Sequence, residues 1–234
     1  MSDTIPVPSR TGLLGEARGL LELSKLLMRF PQLAKQPRGC GQTVMVLPGY
    51  GAGDASTSVL RAYVRFLGYR PTGWGLGRNH GEVPDLLPQV VARLEEVAQR
   101  EDTAIDLIGW SLGGYLAREA ARERPRAAQR VITLGSPVVG GPKYTAVAEV
   151  YRRRGIDLDA VEAEVAARNR QPLDTPITAI YSRHDSVVAW QACIDRRASN
   201  VEHVEVQTTH LGLGFSPEVF QIIAERLARA EKPS

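Results

Sequence analysis

Long apolar runs are the first thing this chain lacks. No stretch approaches the roughly 20 residues needed to span a bilayer. With 43% hydrophobic and 24% charged residues, the composition is that of a soluble globular protein. Cysteine is scarce: Cys40 and Cys193 are the only two, too few for a disulfide framework or a metal-ligand cluster. Two free thiols fit a reducing compartment. Met1 to Arg10, "MSDTIPVPSR", has an early acid and two prolines where a secretory signal needs a basic start and an unbroken apolar segment. A cytoplasmic location is therefore expected, with membrane association as an addition to it. Asp and His residues are too scattered for a metal centre, and no cofactor is expected. The net charge of +3 lies wholly within residues 1–40, where six bases face three acids. The body has no basic stripe, which argues against nucleic acid as a partner.

At 234 residues the chain suits one α/β domain. Four apolar runs, Thr43–Leu47, Ile105–Ile108, Val131–Leu134 and Ile177–Tyr181, lack polar alternation and read as strands of a parallel sheet covered on both faces. The alternating run Val201–Val206 reads as a strand nearer the edge. Apolar residues at helical spacing follow. One set runs from Val59 to Leu67 and stops at Gly68, others from Leu87 to Ala98 and Leu112 to Ala120, and a last helix from about Pro217 to Ala230. Strands alternating with helices imply a doubly wound α/β sheet with right-handed crossovers.

Two segments break the alternation. Between Gly12 and Phe30, Leu13, Ala17, Leu20, Leu23, Leu27 and Phe30 form a helical stripe flanked by bases. It could dock on the domain or lie on a membrane surface. Residues 140–176 are too long for a simple crossover and read as a small helical cap, with Asp157 as an N-cap before Leu158, Val161 and Val165. The expected organisation is thus an N-terminal extension over residues 1–40 and a main domain over 41–234 carrying the cap.

In "IDLIGWSLGGYLAR", residues 105–118, Ser111 stands between a buried strand and a helix, with Gly109 and Gly113 two residues away on either side. Such a turn strains the backbone, demands small neighbours and aims the hydroxyl outward. A serine hydroxyl needs a base, and the base needs an orienting acid. Of four histidines, His80 precedes the serine, His184 abuts the best acid and His203 lies inside the last strand. His210, in the glycine-bearing loop "TTHLGLGF", remains. Asp185, just past the strand ending at Tyr181, is the acid; Asp174 precedes that strand and Asp195 falls in an expected helix. The amides of Leu112 and of Tyr50, in "VLPGYGAGD", are candidate oxyanion donors. Asp54 reads as the N-cap of the following helix. Trp74, Asn79 and Trp110 are candidates to line the substrate, and Ser136 reads as structural.

The stretches "VLPGYGAGD", "GWGLGRNHG", "LIGWSLGGYLARE", "VITLGSP", "IYSRHDSVV" and "HLGLGFSP" together resemble the α/β-hydrolase superfamily, and within it the bacterial lipase and esterase branch. The resemblance runs from about Thr43 to the last helix. It implies a serine hydrolase of carboxylic esters, small-molecule or lipid, in which Ser111 attacks, His210 shuttles the proton and Asp185 orients it. Pro48 stands where many relatives carry a histidine before the oxyanion glycine. An acyltransferase with the same triad, or a non-catalytic binding protein on this fold, are the alternatives.

Overall fold

The computed structural model describes residues 5–6, 8, 15–16, 18–19 and 21–229. Among them six strands, β1 (Thr43–Leu47), β2 (Arg70–Gly73), β3 (Ile105–Trp110), β4 (Ala128–Leu134), β5 (Ile177–Tyr181) and β6 (Val201–Glu205), form one sheet in the order β2-β1-β3-β4-β5-β6. Every neighbouring pair is parallel. Seven α-helices accompany it: α1 (Leu21–Leu33), α2 (Ser58–Phe66), α3 (Val83–Glu101), α4 (Leu112–Glu123), α5 (Ala148–Arg153), α6 (Leu158–Arg168) and α7 (Pro217–Leu227).

The absence of polar alternation in the strands has a direct cause, because both faces of the sheet are covered. Successive side chains point to opposite faces. In β1, Met45 and Leu47 join Ile105, Leu107 and Val131 against α3 and α4. Val44 and Val46 join Ile108, Ile132 and Ile180 against α2 and α7. All five residues of β1 and all six of β3 are buried. Each fully buried aliphatic side chain stabilises the fold by about 1.5–3 kcal/mol relative to exposure.

All five strands expected from sequence are present, and the alternating run ends the sheet at β6, as expected of an edge. The run Ile105–Ile108 is longer than expected, continuing through Gly109 and Trp110. β2, "RPTG", was not among the expected runs. It has little apolar content and carries Pro71, which is tolerated because β2 pairs only with β1 and leaves its other side free.

Strand order fixes where a site can form. From β1 the chain moves outward to β2, then returns across β1 to β3 and continues the other way. Loops leaving the carboxyl ends of β1 and β3 therefore diverge and leave a crevice between them, the usual ligand position in open parallel sheets.

Between β4 and β5 stand a 3-10 turn (Gly141–Tyr144), α5 and α6. The Asp157 carboxylate caps α6 by accepting from the Asp159 and Ala160 amides at 2.9 and 3.2 Å, and Leu158 and Val165 face inward. Asp54 does not cap its helix. Its carboxylate instead accepts from the Trp74 and Gly75 amides at 3.0 and 3.2 Å, tying down the loop after β2. Only Gly73 fits beside it, since a Cβ there would lie 2.4 Å from the carboxylate.

Of the expected Gly12–Phe30 helix, Leu13, Ala17 and Leu20 lie outside the described residues. The rest begins α1, which packs against α7. The docked face is not the expected stripe: Leu26 and Leu33 face the core, whereas Leu23, Leu27 and Phe30 are exposed, Leu27 by 78%. No helix of the described residues is long and apolar enough to cross a membrane.

Candidate functional site

Ser111 follows β3 directly and opens α4, with φ 55° and ψ −123°. Only one other described non-glycine residue, Asp102, has a positive φ. A conformation this sparsely populated costs on the order of 1–3 kcal/mol and must be held from outside. The Ser111 amide is held by Leu134 O at 2.7 Å, and Ser111 O accepts from Gly114 N at 3.0 Å. Three glycines let the turn close. A Cβ on Gly109 would sit 2.3 Å from Gly114 Cα, one on Gly113 2.5 Å from Leu47 O, and one on Gly114 2.0 Å from Ser136 Oγ. The third of these, Gly114, is an additional requirement beyond the two flanking glycines. The doubled glycine in "SLGG" was its visible trace. Ser136 is buried at this contact, as a structural residue would be.

The loop after β1 reaches across the crevice. Gly49 lies against the serine, where a Cβ would be 3.3 Å from Ser111 Cβ. Asn79 braces this loop from the other side. Its side chain donates to Pro48 O at 3.0 Å, its carbonyl accepts from Gly51 N at 2.7 Å and its amide donates to Ala52 O at 2.8 Å. Asn79 is thus fully buried and is not on the wall of the cavity that Ser111 borders. Trp74 is not on that wall either: it is fully buried in the core, and its indole N–H donates to Gly77 O at 3.0 Å. Both belong to the loop that supports residues 48–52. Trp110, Tyr50, Ser111, Leu112 and His210 do border one shared cavity of about 650 Å³.

β5 and β6 bring Asp185 and His210 together on their exit loops. His210 Nδ1 lies 2.6 Å from Asp185 Oδ2, so the Nδ1–H donates to the carboxylate and Nε2 is left as an acceptor. Asp185 Oδ1 accepts from the Val187 and Val188 amides at 2.8 and 2.7 Å. The Ser182 hydroxyl joins the two loops, donating to Thr208 O at 2.5 Å and accepting from His184 N at 3.1 Å. Burial pushes the His210 imidazolium toward losing its proton. The Asp185 charge and hydrogen bond, with Glu16 adding, outweigh this and hold the imidazole above its ordinary range. Gly135, in the "LGSP" turn after β4, is pressed against the pair. At φ +56°, its Cβ would lie 3.0 Å from both Asp185 Oδ2 and His210 Nδ1.

The other histidines stand apart. His184 Nε2 pairs with Gln207 at 2.8 Å and His203 Nε2 accepts from Asp195 N at 3.1 Å, while His80 is exposed. Asp195 is not helical; it follows a 3-10 turn and is buried in an ion pair with Arg118.

The far wall of the cavity comes from the segment between β4 and β5 and from the start of α3, where Val147, Val161, Val165, Val83 and Leu87 give it an apolar surface. Tyr151 closes one corner, its hydroxyl donating to Gly81 O at 3.0 Å, and burial pushes that hydroxyl up to about 12. Among the described residues no group of three His, Cys, Asp or Glu side chains could hold a metal ion.

The sequence model of the Alpha/beta hydrolase family matches residues 29–229. No curated protein matches the chain at a significant level. Solved structures that superpose on it include the Bacillus licheniformis lipase BlEst2 in mature form, 14% identical with TM-score 0.63 over 82% of this chain and 94% of that one. The monoacylglycerol lipase of Paleococcus ferrophilus is 16% identical with TM-score 0.59, covering 81% and 96%. The 2-hydroxy-6-oxo-6-phenylhexa-2,4-dienoate hydrolase of Rhodococcus sp. strain RHA1 is 12% identical with TM-score 0.57, covering 81% and 91%. At these identities the likeness is one of fold.

Gly135→Ala tests the closeness of the turn to the Asp185–His210 pair. With a positive φ and no room for the methyl group, it is expected to lose about 1–3 kcal/mol in urea unfolding. Gly41→Ala, at a positive φ with nothing within 4 Å, reports the backbone strain alone and should lose less.

Proposed function

This chain belongs to the Alpha/beta hydrolase family, and from that premise we propose that it is a serine hydrolase of carboxylic esters. The observation that carries the reading is a serine held at positive φ and a histidine on the wall of one cavity, with a buried aspartate carboxylate 2.6 Å behind that histidine. In this reading Ser111 Oγ attacks the ester carbonyl while His210 Nε2 takes its proton. Asp185 fixes the tautomer and stabilises the imidazolium. The Tyr50 and Leu112 amides receive the oxyanion, the second at the positive end of α4. Collapse expels the alcohol, which takes the proton from His210 and leaves an acyl-Ser111. Water, deprotonated by His210, then releases the acid and restores the serine.

The cavity supports an uncharged acyl group. Its wall at α3 and at residues 147–165 is largely aliphatic, and each CH₂ buried there contributes about 0.8 kcal/mol. Residues 140–176 serve in this reading as a cap that sets acyl length, on a main domain of residues 41–234. Residues 1–40 are an extension.

The extension supports a second contact, with the surface of an anionic bilayer. Leu23, Leu27 and Phe30 leave apolar surface exposed beside Lys25, Arg29, Lys35 and Arg38, which are exposed as well. Apolar surface flanked by bases suits an interface of acyl chains and anionic headgroups. Vesicles containing phosphatidylserine should sediment the protein, and Leu27→Asp together with Phe30→Asp should release it. Equal sedimentation of both forms would exclude this face.

A fluorophosphonate should modify Ser111, and Ser111→Ala should lose ester hydrolysis by roughly ten-thousand-fold or more. A properly folded wild-type protein that resists the reagent would overturn the hydrolase reading. The pH profile follows from His210. Only the neutral imidazole accepts the serine proton, and its pKa is raised, so kcat/KM should fall on the acid side with a midpoint above the unperturbed value of about 6.5.

A further inference from the structure

Asp185 and His210 leave the sheet on separate loops, and a residue far away in sequence bridges them. Glu16 is 4% exposed. Its Oε1 accepts from the amide of Ser186 and its Oε2 from the amide of Leu211, both at 2.9 Å. These are the residues immediately following Asp185 and His210. One carboxylate therefore measures the separation of the two loops, and both its oxygens are taken by backbone donors. Removing a carboxylate from water is costly, and charge-assisted bonds to amides are the strong kind that offsets the cost.

The segment around Glu16 is seated closely on the histidine loop. A Cβ on Gly19 would lie 2.6 Å from Gly212 N and 2.7 Å from Thr209 Oγ1, so only glycine permits this approach. Glu22, also buried, comes near the same glycine, with its Cγ 3.3 Å from where a Gly212 Cβ would stand. The stretch matched by the family model begins at residue 29, so this contact comes from outside it.

We propose that Glu16 is a positioning residue, which holds the acid loop and the histidine loop in register so that the Asp185–His210 pair keeps its geometry toward Ser111. The proposal rests on the serine-hydrolase reading for its kinetic consequence, though not for the bridge itself. Asp185 and Glu16 are the charges that raise the His210 pKa, and the Trp110 ring is its aromatic neighbour, 6.3 Å away between centroids.

The test compares wild type, Glu16→Gln and Glu16→Ala in the full chain. It measures the rate of Ser111 labelling by a fluorophosphonate, kcat and KM on one ester, and the His210 titration by NMR. Glu16→Gln keeps the shape and one acceptor but turns an NH₂ toward the other amide and removes the charge. Both variants should label roughly 10- to 100-fold more slowly. The loss should appear in kcat, with KM moving less than about threefold. In Glu16→Gln the His210 midpoint should move to lower pH. Folded variants that label at the wild-type rate and titrate His210 unchanged overturn the proposal; if Glu16→Ala fails to fold, Glu16→Gln decides alone. A wild type that neither labels nor hydrolyses esters overturns the hydrolase reading. The His210 titration then still decides the bridge, which fails if Glu16→Gln leaves it unmoved.

Discussion

The backbone of Ser111 is held where few L-residues settle, at φ 55°, and the architecture around it exists to keep it there. The strain, on the order of 1–3 kcal/mol, has to be met by neighbours that cannot move. β3 is buried along its whole length and α4 is buried from Leu112 to Ala121, so neither the strand nor the helix can relax the turn without opening the core. Gly109, Gly113 and Gly114 make the contact between strand and helix close enough to leave no alternative. In exchange, the turn places Ser111 on the wall of the cavity, at the start of α4.

The parallel sheet extends this constraint to the other loops. In an all-parallel sheet every strand delivers its carboxyl end to the same edge, so residues 49, 111, 135, 185 and 210 converge although they are far apart in sequence. Convergence alone does not fix distances of 3 Å. Side chains outside the cavity do that: Asn79 holds residues 48–52, Ser182 ties the loops after β5 and β6, and Glu16 spans the amides of 186 and 211. A buried ion cluster does the same for the wall of the cavity. Arg118 on α4 bonds Asn169 at 2.7 Å, at the end of α6, and pairs with Asp195 beyond β5. The Asn169 side chain in turn holds Val138 O at 2.8 Å. Breaking one partner of so buried a cluster costs about 3–5 kcal/mol, so α6 is anchored at its base.

Sequence patterns revealed the parts of this design that depend on local chemistry. Strands buried on both faces show as unbroken aliphatic runs, and the glycines flanking Ser111 mark the turn. β2 was not visible because an edge strand with Pro71 and Gly73 carries no apolar signal. The exposed stripe of α1 was visible, but not which face would dock, since Leu26 and Leu33 differ from Leu23 and Leu27 only in what α7 presents to them. Asn79 and Trp74 showed as polar and aromatic residues in a glycine-rich loop, a composition shared by residues that line a ligand and residues that hold up the loop. Gly135 and Glu16 owe their roles to partners 50 to 195 positions away, and no local window contains such a pairing.

This difference bears on how the site relates to its fold. The strained serine is secured by the core itself and would survive changes at the periphery. The Asp185–His210 pair is not secured in that way, because its two residues sit on loops past the last two strands, and β6 is half exposed along its length. In the proposed reaction His210 alternately takes and gives a proton, and for that it gains from a loop with some freedom. A hydrogen bond of 2.6 Å gains from a loop with little. A bridge made of hydrogen bonds from one carboxylate to two backbone amides meets both demands, because it restrains the separation of the loops while leaving the imidazole's other nitrogen unengaged. The register of the two loops thus rests on Glu16, a residue that is not part of the sheet.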